Sequence, residues 1–157
     1  MHRAFIALGA NLEDPAGQLR AALADLAALS GIAQLRPSSL YRTAPMEATG
    51  PDYVNAVAEV RTDLPPEALL AQLFAVEARF GRTRSFRNAP RTLDLDLLLH
   101  GDTILDTPDL ILPHPRLHLR AFVLVPLAEL APDLPLPGRG SVAAWLPAVA
   151  NQRIEKL

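Results

Sequence analysis

The sequence predicts an α+β domain: a ferredoxin-like βαββαβ core with additional C-terminal elements, in three αβα layers. Three observations predict it. Extended and helical stretches follow one another as strand, helix, strand, strand, helix, strand between residues 4 and 99. Both helical stretches carry apolar residues at helical spacing, the pattern of a helix laid against a sheet. The final third continues without linker-like composition, so residues 1–157 are expected to form one domain whose last elements cover the sheet.

Each element has its own local cause. Residues 4–9, AFIALG, read as a short buried strand ending at Gly9. Asp14 then serves as N-cap and Pro15 as the first helical residue, Leu19, Leu23, Leu26 and Leu29 recur on one face, and Gly31 stops the helix. Residues 33–42 look extended, with Pro37 making that strand an edge or a bulged one. A Pro/Gly-rich loop, TAPMEATGPD, occupies residues 43–52. The run YVNAVAEVRT, Tyr53–Thr62, alternates as a half-buried strand. Pro65, Pro66 and Glu67 open a second helix whose Leu69, Leu73, Val76 and Phe80 form one stripe, closed by Gly81. After the stretch GRTRSFRNAPR, residues 92–99, TLDLDLLL, alternate as a fourth strand with Leu93, Leu95 and Leu97 toward the core. A turn at Gly101 and Asp102, a short ILD segment, LPHPRLHLRAF, the apolar VLVPLAELAP and a terminal helix over residues 142–150 complete the chain.

Composition excludes several classes. No apolar run approaches the roughly 20 residues that a membrane helix requires. The start, MHRAFIALGA, lacks the apolar segment and cleavage site of a signal peptide, and there is no cysteine, so a cytoplasmic protein without disulfides or thiolate chemistry is expected. A formal net charge of −2 speaks against a nucleic-acid coat, and no membrane partner is expected. Lys156 is the one lysine among 15 basic residues, and no GxxxxGK[ST] string occurs, so any anion site must be built from arginine. Neither HExxH nor GxSxG is present, which leaves zinc hydrolysis and serine hydrolysis without support.

Chemistry concentrates around residues 77–96. Asp94 and Asp96 lie two apart on a strand, so both carboxylates leave the same face, with Cα atoms roughly 6 to 7 Å apart, and can converge on a hard cation. An amphipathic edge strand also gives such alternation, but two aspartates on one strand face repel unless something positive lies between them. Arg79, Arg82, Arg84, Arg87 and Arg91 precede them, with no acidic residue between Ala78 and Leu93. A solvated basic loop has this composition too, yet guanidinium forks hold phosphate oxygens bidentately. Arginines beside paired carboxylates describe a Mg²⁺–polyphosphate site. Glu77, in the last turn of its helix, opposes the macrodipole and needs compensation, either as a ligand or through a surface contact with Arg82. His114, between two prolines, together with His118 and Arg120, could bring further donors to a phosphate chain, or be ordinary loop residues.

The string RNAPRTLDLDLL, residues 87–98, resembles the signature of the 6-hydroxymethyl-7,8-dihydropterin pyrophosphokinase family. ALGANL, YRTAP, PDYVNA, EARFGRTR and LPHPRLHLRAFVLVPL extend that resemblance, in order, over essentially the whole chain. The resemblance implies transfer of pyrophosphate from ATP to a pterin alcohol in folate biosynthesis, giving AMP. Asp94 and Asp96 would hold two Mg²⁺ ions, Arg82, Arg84 and Arg91 would embrace the triphosphate, His114 and Arg120 would contact ATP, and Glu77 would lie near the nucleotide. Thr43, Ala44, Met46, Tyr53, Asn55 and Phe122 would form the pterin pocket, with Asn55 offering donor and acceptor and the aromatics offering faces. Two departures stand out: Asn88-Ala89 replaces the family's frequent Trp-Gly, and Ala10 and Ala44 replace a serine and a proline.

The expected partners are therefore ATP and the pterin, in a monomer whose loops at 43–52 and 81–91 serve as lids. The rival reading is a non-catalytic ferredoxin-like module binding RNA or a small molecule. It calls for stacking aromatics on the sheet, but the chain has only eight Phe, Trp and Tyr residues and no RNP-like string.

Overall fold

The computed structural model describes residues 1–44, 51–80 and 93–157. Its centre is β1 (His2–Ala10), flanked by β4 (Tyr53–Thr62) and β5 (Asp94–His100), both antiparallel to it. Beyond β4, β2 (Ile32–Pro37) and β3 (Tyr41–Thr43) pair with its two halves, and β10 (Ile154–Lys156) adds to β3, while β6 (Leu105–Asp106) with β7 (Ile111–Leu112) and β8 (Pro135–Leu136) with β9 (Gly140–Ser141) form two small separate pairs. Among the described residues the main sheet thus runs β10-β3-β4-β1-β5, with β2 beside β3 on β4. The βαββαβ order with the first strand central is the predicted ferredoxin-like arrangement.

The extended stretch at 33–42 is two strands rather than one. Pro37 lacks the N–H that a continuing ladder needs, and Ser38 takes over: its N–H donates to Val57 O at 2.8 Å, while its Oγ accepts the Val57 N–H at 2.9 Å. The chain then re-enters the sheet as β3. A bulge between Ile32 and Gln34 adjusts the β2 register. β4 is more deeply placed than the predicted half-buried strand, because strands flank both its edges and helices cover both its faces.

One face carries α1 (Pro15–Ala27) and α2 (Pro66–Arg79). Leu19, Ala22 and Leu26 of α1, with Leu69, Leu73 and Val76 of α2, close over Ile6, Leu8, Ala56, Ala58, Leu93, Leu95 and Leu97. Asp14 caps α1 as predicted, accepting the Gly17 N–H at 3.2 Å. Gly31 does not stop that helix, which ends at Ala27. Its missing side chain serves a close approach, since a Cβ there would fall 2.5 Å from Leu64 Cγ. Gly81, the expected end of α2, lies outside the described residues.

The opposite face carries α3 (Ala121–Leu130), which accommodates Pro126 internally, and the C-terminal turns. Phe5, Ala7, Val57, Leu98, Leu99, Leu117, Val123, Leu124 and Leu127 pack there. Two layers of helix on one sheet make the predicted αβα sandwich. Where a terminal helix was expected over residues 142–150, Ala143–Val149 is a 3₁₀ helix. Pro147 has no N–H to give to a longer α-helical ladder, and i→i+3 bonds such as Trp145 N to Val142 O, 3.1 Å, take its place.

Candidate active site

Cross-strand register builds the site's floor. Asp94 pairs with Gly9, Gly9 with Asn55, and Asn55 with Tyr41, so one row crosses four strands with its side chains on the α3 face. The neighbouring row sets Asp96 beside Ala7 and Ala7 beside Val57, and another sets Thr43 beside Tyr53. Both aspartates therefore share a face and open into a cleft of about 490 Å³. Its lining brings together Asp94, Asp96, Thr43, Ala44, Tyr53, Asn55, Arg120 and Phe122.

The neutral wall is fixed from beneath. Thr43 donates its buried hydroxyl to Asn55 Oδ1 at 2.6 Å, which turns Asn55 Nδ2 toward Gly9. A Cβ on Gly9 would stand 2.9 Å from that Nδ2, so glycine gives the amide its room. At the row's end Tyr41 donates its hydroxyl to Glu129 Oε1 at 2.5 Å, tying β3 to α3. Burial, then the bond and charge of Glu129, push the Tyr41 phenol well above its ordinary pKa, so this clasp stays protonated.

The cationic wall comes from residues 113–122. The arm hangs on β5 through the His114 N–H, which donates to Leu98 O at 2.9 Å, then turns as a 3₁₀ helix at Leu117–Leu119. Arg116 and Arg120 enter the cleft from it, and the Arg120 guanidinium lies 5.4 Å from the Phe122 ring centre. His114 does not line the cleft. Its Nδ1 accepts the Arg116 N–H at 3.2 Å, and burial, then Arg120, Arg116 and Arg139, lower its pKa to about 4 against the opposing pull of Asp94. His118 also stays outside, its Nδ1 facing Arg139 Nη1 at 3.1 Å.

Glu77 is likewise outside the cleft lining. It is buried, and its Oε2 accepts the Leu95 N–H at 2.8 Å. The carboxylate thus satisfies a donor on the outer edge of β5, between the two aspartates. Met46, Arg82, Arg84 and Arg91 lie outside the described residues, as do Arg87 and Asn88.

A family model described as 7,8-dihydro-6-hydroxymethylpterin-pyrophosphokinase matches residues 5–132. The chain belongs to this family. A Haemophilus influenzae 2-amino-4-hydroxy-6-hydroxymethyldihydropteridine pyrophosphokinase is 43% identical, with 100% of this chain and 99% of that protein covered. A Pseudomonas aeruginosa protein of the same name is 44% identical, covering 100% and 98%. A crystal structure of a Plasmodium falciparum HPPK-DHPS triple mutant superposes with a TM-score of 0.73 at 14% identity, covering 93% of this chain and 44% of that one. That likeness speaks for the fold alone, and this chain spans less than half of the solved one. Membership in a pyrophosphokinase family also separates the chain from the rival reading as a non-catalytic binding module.

Within this family frame, Arg116, Leu119 and the β1 floor of Ala7, Leu8 and Gly9 line the cleft without having been singled out as site residues in the sequence. A glycine inside a strand marks a close approach, but Gly9 reads from the sequence as the strand's end, whereas the strand runs on to Ala10; the turn that Arg116 and Arg120 flank is visible only in the structure. Among the described residues no helix is long and apolar enough to cross a membrane.

Proposed function

We propose that the cleft transfers the β,γ-diphosphate of ATP to the hydroxymethyl oxygen of 6-hydroxymethyl-7,8-dihydropterin. The oxygen–Pβ bond forms as the bond from Pβ to the α,β-bridging oxygen breaks, AMP leaves with that oxygen, and the hydroxyl proton is released. One observation carries this reading: a pair of carboxylates, a buried Thr43–Asn55 amide and two arginines share one cleft of about 490 Å³. Asn55 presents an amide to the hydrogen-bonding edge of a pterin, and Tyr53 and Phe122 supply faces for its ring. Arg116 and Arg120 meet the triphosphate opposite the aspartates. By the family resemblance Arg82, Arg84 and Arg91 would add to that grip and Met46 would join Ala44 in the pterin pocket, while His114 and Glu77 would act from just outside the cleft, near the nucleotide.

Asp94 and Asp96 fit magnesium, which takes oxygen ligands and is bound by one or two carboxylates with substrate phosphates rather than by a closed protein cage. When bound, two such ions would neutralise and hold the phosphate chain, and positioning plus charge neutralisation is most of what phosphoryl transfer requires. The net charge of −2 favours small-molecule substrates over nucleic acid, and a cytoplasmic monomer belongs to the same proposal.

The experiment mixes purified protein, ATP, Mg²⁺ and the pterin alcohol and follows AMP. AMP formation that depends on both substrates and is lost in Asp94→Asn and Asp96→Asn is expected. Folded wild-type protein that yields no AMP would overturn the assignment.

A further inference from the structure

Apart from the buried Leu117 that anchors its turn in the core, the arm that carries Arg116 and Arg120 has little of its own to hold it. Its bonds are local: Leu117 N to His114 O at 3.2 Å and Leu119 N to Arg116 O at 3.0 Å, with a single bond to β5. A three-residue 3₁₀ turn is too short to keep a fixed geometry unaided. Two side chains from beyond residue 132, where the family-model match ends, grip it at opposite ends.

At the first end is Arg139, in the turn between β8 (Pro135–Leu136) and β9 (Gly140–Ser141). Its Nη1 donates to His114 O at 3.0 Å and faces His118 Nδ1 at 3.1 Å. Arginine cannot accept, so His118 Nδ1 is the acceptor and that ring is neutral with its proton on Nε2. The arginine is itself placed. Gly138 and Gly140 take positive φ of 73° and 82°, Arg139 N donates to Leu136 O at 2.9 Å, and Trp145 Nε1 donates to Arg139 O at 2.7 Å. The Trp145 ring then stands edge-on to His118 at 4.6 Å.

At the second end is Gln152. Its Nε2 donates to Leu119 O at 2.9 Å and its Oε1 accepts the Ala121 N–H at 2.8 Å. One amide thus bonds the residue before and the residue after Arg120, and it satisfies an N–H at the start of α3 that no helical carbonyl reaches.

We infer that Arg139 and Gln152 are positioning residues for the nucleotide half of the reaction, bracing the arm so that Arg116 and Arg120 meet the ATP phosphates. The inference rests on the functional reading above. It makes the C-terminal segment part of the catalytic apparatus rather than a cover for the sheet. Neither residue touches the cleft, so each acts through the arginines it orients.

The test measures equilibrium binding of α,β-methylene-ATP in magnesium buffer, and separately of the pterin, to wild type, Arg139→Ala, Gln152→Ala and Arg139→Lys, with thermal melts of each. Nucleotide affinity is expected to fall about tenfold in each alanine variant, the size of one lost hydrogen bond; pterin affinity should stay within about twofold in Arg139→Ala, since Thr43 and Asn55 are held elsewhere, and should fall less than nucleotide affinity in Gln152→Ala, which also bonds Ala121 beside Phe122. Arg139→Lys should recover part of the loss. In Arg139→Ala the ¹⁵N resonance of His118 Nδ1 should move toward that of an unbonded imidazole. Folded alanine variants that bind nucleotide normally, or that lose nucleotide and pterin affinity in parallel, would overturn the brace while leaving the functional reading intact. A wild-type chain that makes no AMP would overturn that reading, and the brace's purpose with it.

Discussion

On one side of the cleft, Asp94, Gly9 and Asn55 stand in register across hydrogen-bonded strands, with Thr43 beside them, and Asn55 and Thr43 are each only 6% exposed. On the other side, Arg116 and Arg120 ride on an irregular arm hung from the β5 edge and gripped by distant side chains. The sheet wall inherits its precision from the backbone ladder: to move Asn55 or Asp94, the ladder must slip by two residues or the strand must bend. The arm inherits its precision from individual hydrogen bonds, each worth about 1 to 3 kcal/mol. A single substitution therefore shifts the arm far more readily than the wall. That division suits a site that must recognise a flat heterocycle by exact placement and a flexible phosphate chain by charge.

The largest effect is expected at the carboxylates of the sheet wall. Asp94→Asn and Asp96→Asn keep shape and remove charge, so the fold should survive while AMP formation falls by about three orders of magnitude, equivalent to ~4 kcal/mol of transition-state stabilisation. Steady-state AMP release with circular dichroism checks both halves. A loss smaller than tenfold in both variants would mean that the arm carries the charge work alone.

Next in size is Gly9→Ala. The added methyl meets Asn55 Nδ2, where 2.9 Å is closer than carbon tolerates, and the buried amide is pinned by Thr43 on its far side. Pterin affinity should drop about 30-fold while nucleotide affinity changes little, the reverse of the pattern for Arg139→Ala; about 2 kcal/mol corresponds to that factor. Calorimetric titration with each ligand reads the split, and equal losses on both sides would erase the distinction between wall and arm.

How far these features can be read from the sequence follows the same division. A short apolar run marked β1 and strand alternation marked β4 and β5, and the Leu/Asp alternation of β5 carried its orientation, since period two assigns faces without tertiary information. Thr43, Tyr53, Asn55 and Phe122, which the resemblance assigns to a pterin pocket, do meet in the cleft. Gly31 misled because a glycine after a helical run has two readings, cap or close approach, and only Leu64, arriving from a distant loop, decides between them. Arg139 and Gln152 were invisible for a similar reason: each addresses backbone groups of a segment more than 20 residues away, and such contacts leave no periodic trace. The 3₁₀ form of Ala143–Val149 was hidden because its apolar spacing suits either helix and Pro147 decides locally.

Acid should loosen the arm before the wall. His114 is held neutral in the fold with a pKa of about 4, against an ordinary value of 6.5 in the unfolded chain. Between those values the unfolded chain binds more protons, so stability rises with pH through that window; His114's contribution is complete above pH 6.5 and is lost as pH falls toward 4. For a partly exposed ring the swing is on the order of 2 kcal/mol. Thermal melts across that range should show it in wild type and lose it in His114→Phe, whereas an unchanged profile in that variant would assign the acid sensitivity to another group.

The smallest effect should come from a polar row at the far end of the same sheet face, where Glu59 stands opposite Phe5 and Arg36. Its carboxylate accepts from Arg3 Nη2 at 3.2 Å and from Arg36 Nη2 at 2.8 Å, and Arg36 also donates to Leu130 O at 2.8 Å. Burial alone would raise the Glu59 carboxyl, but the bonds and charges of the two arginines outweigh it and hold it below the ordinary carboxylate range. Here carboxylate and guanidinium satisfy each other within the protein, and Arg36 keeps its bond to α3 whatever Glu59 does. Glu59→Gln should therefore cost about 1 kcal/mol in chemical denaturation and leave AMP formation within twofold. A marked fall in turnover would show that the β1–β4 ladder transmits strain along its length to Gly9 and Asn55, and that the wall is less independent of its surroundings than its register implies.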